Sequence, residues 1–164
     1  MKSRPPPINI RVNNWIGLPE DLDTGEYFGF IYSITNTITK RIYIGKKQLW
    51  STTRRPPLKG KKRKRVVVKP SDYLTYHGSS EELKVDIAMN GTDHYTREVL
   101  AMTSCKWEAA WLELMYQLKY NVIISEDYLN GILNIRLIKM PKHLREKYKN
   151  FTLDFSFNSD ILVP

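Results

Sequence analysis

The stretch from Phe28 to Gly45, FGFIYSITNTITKRIYIG, constrains the fold more than any other. Phe28 to Ile34 and Arg41 to Gly45 are rich in Ile, Tyr and Phe, residues that suit a pleated, half-buried surface. Thr35-Asn36-Thr37 lies between them and supplies a turn-forming asparagine, so the two runs predict a β-hairpin. Tyr32 and Tyr43 stand eleven positions apart on it, and Gly45 follows the second tyrosine by two. An isolated pair of tyrosines on a hairpin is ordinary strand packing, so their weight depends on what the rest of the chain places beside them.

At 164 residues and 41% hydrophobic the chain is long enough to bury one ordinary core, which predicts a single domain with extensions. No run of about 18 apolar residues occurs, and the Lys-Ser-Arg-Pro-Pro-Pro start lacks an apolar signal region. Neither a membrane span nor a secretory signal is expected. The single cysteine, Cys105, excludes an internal disulfide and a zinc cluster, and fits a reducing, cytoplasmic setting.

The net charge of +9 is concentrated in one place. Residues 46–69 hold eleven of the 26 basic residues and none of the 17 acidic ones, so the remainder carries more acid than base. Such segregation is the footprint of a polyanion partner. The contributing residues are Lys46, Lys47, Arg54, Arg55, Lys59, Lys61, Lys62, Arg63, Lys64, Arg65 and Lys69. A solvated loop or a localisation tag at Lys61 to Arg65 is the plainer reading. A membrane surface fits less well, because the run has no apolar face. Val66-Val67-Val68 predicts a short strand that turns Lys59 to Lys69 into a basic hairpin arm. Lysines on such an arm are expected to position a duplex without reading its bases.

Residues 1–27 read as an extended arm with Pro5-Pro6-Pro7 in polyproline II, residues 28–135 as the domain with the basic loop inserted, and residues 136–164 as a C-terminal extension. Ser79 and Glu82 have capping-box spacing at the start of a helix with Leu83, Ile87 and Ala88 on one face, stopped by Asn90-Gly91. His94 to Met102 alternates as a strand does. Lys106 to Tyr120 carries Trp107, Ala110, Trp111, Leu114, Met115 and Leu118 at helical spacing. Glu113 on this helix neighbours Ala109, Ala110, Tyr116 and Gln117, where a carboxylate at the edge of the core needs a metal or partner to offset its desolvation. Glu108 is the rival carboxylate. Glu126 to Gly131 predicts a turn, Ile132 to Ile138 a strand, and Pro141 to Lys149 a short basic helix. The tail Phe151 to Phe157 alternates, and reads equally as an edge strand, a dimer contact or a lid.

Ile31-Tyr32-Ser-Ile-Thr-Asn36 and Tyr43-Ile44-Gly45 resemble the two halves of the signature of the GIY-YIG nuclease family. Phe30 stands where the family has the glycine of its first half, and Gly29 lies one position earlier. Lys46-Lys47 after Gly45, the run Lys59 to Arg65, Tyr76-His-Gly78-Ser79-Ser80 and Asp127-Tyr-Leu-Asn130-Gly131 are similar to phage SegE-type homing endonucleases. The resemblance covers about Phe28 to Asn130. It implies an α+β fold with a small central three-stranded antiparallel sheet flanked by helices.

It also implies a metal-dependent DNA endonuclease. Tyr32 and Tyr43 would surround the scissile phosphate, one as or beside the general base, Glu113 would ligate a single Mg²⁺ or Mn²⁺, and Asn130 would support the site. The family spacing of seventeen residues from the helical glutamate to the turn asparagine selects Glu113 over Glu108. The family arginine falls at Thr53, which leaves Arg54 or Lys47 to supply the phosphate-stabilising cation. His77 is an auxiliary acid or base candidate. A phosphodiester gains negative charge as water attacks, so a cation at the phosphate and a tyrosine that orients the nucleophile suit the reaction. The alternative from another class is a silent nucleic-acid-binding module that keeps the fold and the basic loop.

Overall fold

The computed structural model describes residues 15–19, 22, 26–60, 62–133 and 136–151. In chain order its elements are β1 (Trp15–Ile16), β2 (Gly29–Asn36), β3 (Ile42–Gln48), β4 (Trp50–Arg55), β5 (Arg65–Pro70), α1 (Glu81–Asn90), β6 (Tyr95–Thr103), α2 (Lys106–Lys119) and α3 (Arg145–Tyr148). The fold is α+β.

The expected hairpin is β2–β3, antiparallel, with Tyr32 directly opposite Gly45. Asn36 closes it: its Oδ1 accepts from the backbone N–H of Ile38 at 2.9 Å and Thr39 at 3.1 Å. Its amide donates to Asp86 of α1 at 2.9 Å, which ties the turn to the helix. β6 pairs antiparallel with β2, and the register shifts between Ile31 and Tyr32. These three strands form the expected antiparallel centre. A fourth strand extends it, since β1 pairs parallel with β6 in a sheet ordered β1-β6-β2-β3. Trp15 is the cause. Its indole N–H donates to the Tyr73 carbonyl at 2.7 Å, and its ring meets Phe30 and Tyr32 edge-on at 5.1 and 5.3 Å. Phe30 is therefore a core residue, fully buried among aromatic rings. Pro5-Pro6-Pro7 of the expected arm lie outside the described residues.

Strand alternation divides the core. Phe30, Tyr32, Ile34 and Tyr43 pack on one face with Tyr73, Leu83 and Leu129, while Ile31 and Ile44 pack on the other with Val122 and with Leu112 and Tyr116 of α2. α2 has the expected extent, and the Ala109, Tyr116 and Gln117 side faces the sheet as expected. Its buried residues are Glu108, Ala109 and Gln117, while Trp107, Ala110, Trp111, Leu114, Met115 and Leu118 are half-buried. Trp107 and Trp111 stack on each other, and Trp111 meets Tyr148 at 4.5 Å and Phe151 at 4.7 Å, so the C-terminal segment covers the apolar side. Glu108 is buried without penalty to the fold because it accepts from the Ser104 N–H and hydroxyl at 2.6 Å each, from Lys147 at 2.6 Å and from the Tyr148 hydroxyl.

The cap of α1 is Ser80 rather than Ser79, its Oγ accepting from the Leu83 N–H, and Ala88 is exposed while Leu83 is buried. Gly91, at φ 75°, ends the helix as expected. Val66 to Val68 lie in β5, which pairs with β4 to make the predicted basic hairpin. The described part of Ile132 to Ile138 forms no strand. Among the described residues the backbone meets the outer edge of β3 at the Ile42–Tyr128 bridge, and then the Asn130 side chain takes the backbone groups of Ile44. With that edge occupied by an amide, the segment peels away. Pro141 precedes a short 3-10 turn, Lys142–Leu144, and α3 is a single helical turn. The tail beyond Phe151 lies outside the described residues.

Candidate active site

Two tyrosines pack around one glycine on β3. A Cβ at Gly45 would lie 2.6 Å from the Tyr32 Oη and 2.9 Å from the Tyr43 Cε1, so no other residue fits beneath the two rings. Gly78 does the same from the facing loop: at φ +90° its missing Cβ would meet Leu83 at 2.4 Å and the Tyr43 ring at 3.4 Å. Arg97 holds that loop on the sheet by donating to the carbonyls of Leu74 and Tyr76 at 3.0 Å each. The loop in turn brings the Ser79 hydroxyl within 3.3 Å of the Tyr43 hydroxyl.

The other half of the site comes from α2 and the turn after it. Lys46 faces Ile31 across the hairpin, and so points to the α2 side, where its Nζ pairs with the Glu113 carboxylate. Asn130 is buried and completes the edge of β3. Its Oδ1 accepts from the Ile44 N–H at 2.9 Å and its Nδ2 donates to the Ile44 carbonyl at 2.7 Å, which also receives Gln117 Nε2 at 3.2 Å. β3 is an edge strand, so both halves meet at its open side. There Tyr43, Lys46, Ser79, Glu113, Gln117 and Asn130 line a pocket of about 550 Å³, together with residues of the α1 start.

Burial pushes both phenols above their ordinary range, Tyr32 well above it, with Tyr43, Tyr76 and Glu113 adding to the effect on Tyr32. For Tyr43 the Ser79 hydrogen bond works in the opposite direction, and burial prevails. Both are neutral hydrogen-bonding groups at physiological pH. The Glu113 side chain is 14% exposed, partly stripped of water and opposed by one lysine.

The family model described as "Putative endonuclease segE, GIY-YIG domain" matches residues 15–133. The chain belongs to the SegE-type GIY-YIG family. No curated protein and no solved structure matches it. The matched segment contains β1 through α2 and the Asn130 turn, and so includes every residue that lines the pocket.

The remaining expected site residues of this GIY-YIG domain fall in different places. Tyr43, Glu113 and Asn130 line the pocket, whereas Tyr32 is buried behind Gly45 and supports the Tyr43 ring. Lys47 shares the Tyr43 face of β3, opposite to Lys46, but is drawn out of the pocket, bonded to Asp72 at 2.8 Å with its Nζ 3.3 Å above the Tyr76 ring. His77 Nδ1 donates to the Thr75 carbonyl at 2.9 Å, away from the pocket lining. Arg54 and Arg55 lie on β4 and Arg65 and Lys69 on β5, with Lys59, Lys62, Arg63 and Lys64 in the exposed connection; Lys61 lies outside the described residues. Glu108 is 0% exposed and held low, to about 2, by Lys147, Ser104 and Tyr148 against the opposing effect of burial. It is a packing carboxylate.

Lys46, Ser79 and Gln117 were not singled out for the pocket from sequence. Strand alternation carries the signal for Lys46, which must share the face of Ile44, and helical spacing carries it for Gln117, four residues after Glu113. Among the described residues no group of three or more His, Cys, Asp or Glu side chains could hold a metal. A single carboxylate such as Glu113 could hold a hard divalent ion that keeps most of its waters. Among the described residues no helix is long and apolar enough to cross a membrane.

Proposed function

We propose that this protein is a metal-dependent endonuclease that hydrolyses phosphodiester bonds of double-stranded DNA at the open edge of β3. The observation that carries this reading is the convergence of Tyr43 and Glu113, from opposite faces of the sheet, on one pocket. Glu113 would hold a single Mg²⁺ or Mn²⁺, which when bound supplies concentrated positive charge at the scissile phosphate. Lys46 balances Glu113 and lies in reach of a phosphate in the same pocket, so it takes the role of the phosphate cation ahead of Lys47 or Arg54. Tyr43, backed by Ser79, orients the attacking water and accepts its proton only where a neighbouring cation brings the phenol down from its raised range. In the reaction the water oxygen bonds to phosphorus, the bond to one sugar oxygen breaks, and that oxygen takes up a proton. Asn130 and Gln117 keep β3 fixed against α2 while this happens.

A homing role and a cytoplasmic setting in a host cell rest on the similarity to phage SegE-type proteins, and a dimer through the C-terminal extension rests on the tail pattern alone. The test of the central reading is conversion of supercoiled plasmid to nicked or linear forms with Mg²⁺ and with chelator, on the wild type and Glu113→Gln. Metal-dependent cutting by the wild type alone is expected. No cutting by a folded, duplex-binding wild type would favour a silent binding module instead.

A further inference from the structure

Outside the pocket, the β4–β5 hairpin is a two-stranded ribbon rooted directly on the site-bearing strand. β3 ends at Gln48 and β4 starts at Trp50, whose ring packs against the core. Ser71, just after β5, locks the root by donating from its N–H to the Leu49 carbonyl at 2.9 Å and from its hydroxyl to the Gln48 carbonyl at 2.5 Å. Beyond this root the two strands stay paired for six residues from Trp50↔Pro70 to Arg55↔Arg65. At about 3.4 Å per residue that is a paired arm roughly 20 Å long, rather than an irregular loop.

Register places Ser51, Thr53 and Arg55 on the same face as Lys69, Val67 and Arg65. Arg55 and Arg65 stand directly opposite each other and are both exposed. Like charges in direct cross-strand register destabilise a ribbon. Among the described residues no acid forms an ion pair with either of them. The pair is costly in the free protein and complementary to an anionic ligand that takes two parallel arginine forks.

We propose that this ribbon enters the major groove of B-form DNA and that Arg55 and Arg65 read guanine there. The inference rests on the nuclease reading for its choice of DNA as ligand. A B-form major groove, about 12 Å wide, admits a two-stranded ribbon, and arginine bonds the O6 and N7 of guanine in bidentate fashion. The major groove of A-form RNA is too narrow for the same approach. Lys59, Lys62 and Lys64, in the connection between the strands, fall to the phosphates on either side. The base-blind lysine arm expected from composition becomes a reader because pairing holds its arginines in register.

The test is selection from a pool of random-sequence duplexes, with chelator present so that cutting does not intervene. Wild-type protein should enrich guanine-containing sites, and methylation of guanine N7 should block their binding. Arg55→Lys with Arg65→Lys keeps both charges and loses the bidentate forks, so the preference should fall by roughly tenfold per arginine while the salt dependence stays unchanged. Replacing Lys59, Lys62 and Lys64 with Ala should flatten the salt dependence by about 0.9 per lost phosphate contact and keep the preference. Absence of guanine enrichment, indifference to N7 methylation, or an equal preference in the double lysine variant would overturn the assignment. Plasmid cutting without any sequence preference removes the ribbon proposal and leaves the nuclease; neither duplex binding nor cutting removes both.

Discussion

Lys46 and Glu113, 67 residues apart in the chain, form an ion pair across the pocket at the edge of β3. Each side chain is the nearest counter-charge of the other, so removing either one exposes the other's role. Glu113→Gln should reduce cleavage below detection and leave duplex affinity within about twofold, since it removes none of the basic residues available to phosphates. Lys46→Ala should lower the cleavage rate by about 10²–10³, the usual loss for one charge-stabilising contact. Single-turnover cleavage at saturating DNA measures both, and a normal rate in Lys46→Ala would return the cation role to Lys47 or Arg54.

The two signature tyrosines should separate. Tyr43 lines the pocket and Tyr32 does not, so Tyr43→Phe should cost about 10²–10⁴ in rate and Tyr32→Phe considerably less. Their pH behaviour follows from burial, which raises both phenols in the folded chain. Stability from the neutral phenols is therefore complete below about pH 10 and lost as pH rises through the folded values. Thermal melts at alkaline pH should show Tyr43→Phe losing less stability than the wild type.

Glu108 should behave as a fold determinant with no part in the chemistry. Glu108→Gln replaces one accepting oxygen by an amide NH₂, so the buried side chain can no longer accept from both Ser104 and Tyr148, and the change should cost about 1–3 kcal/mol. Its folded value near 2 lies below the ordinary carboxylate range. The associated stability is present above about pH 4.5 and disappears as pH falls toward 2, so the variant should have a flatter acid limb in melting experiments. Cleavage per folded molecule should be unchanged.

Gly45→Ala tests the geometry of the signature itself. The added methyl must displace the rings of Tyr32 and Tyr43, at an expected cost of about 1–3 kcal/mol. The cleavage rate should fall by more than the folded fraction does, because Tyr43 leaves its place beside Ser79. Melting temperature and rate, measured together, separate the two effects.

The hairpin and α2 were legible because their signals are local: a turn asparagine between aromatic runs, and a helical repeat. The sheet-facing side of α2, with Ala109, Glu113 and Gln117, was legible too, but the burial of Glu108 was not. The buried carboxylate and amide of Glu108 and Gln117 are satisfied by Ser104, Lys147, Tyr148 and the Ile44 carbonyl, mostly remote in sequence. Two adjacent serines concealed the cap, since either suits the position, and only the fold shows Ser80 at the helix and Ser79 beside Tyr43. Lys46 was obscured by its neighbours. In a run of cations composition draws attention to the run, whereas strand parity assigns this one lysine to α2.

The double hydrogen bond of Asn130 to Ile44 has a consequence for solubility. An outermost strand with free polar groups is a template for strands of other molecules. The amide of Asn130 presents a donor and an acceptor to Ile44 as a neighbouring strand would, yet it offers no backbone on which a further strand can grow. One side chain thus closes β3 beside the pocket, at a point where a neighbouring strand would otherwise find the backbone groups of Ile44.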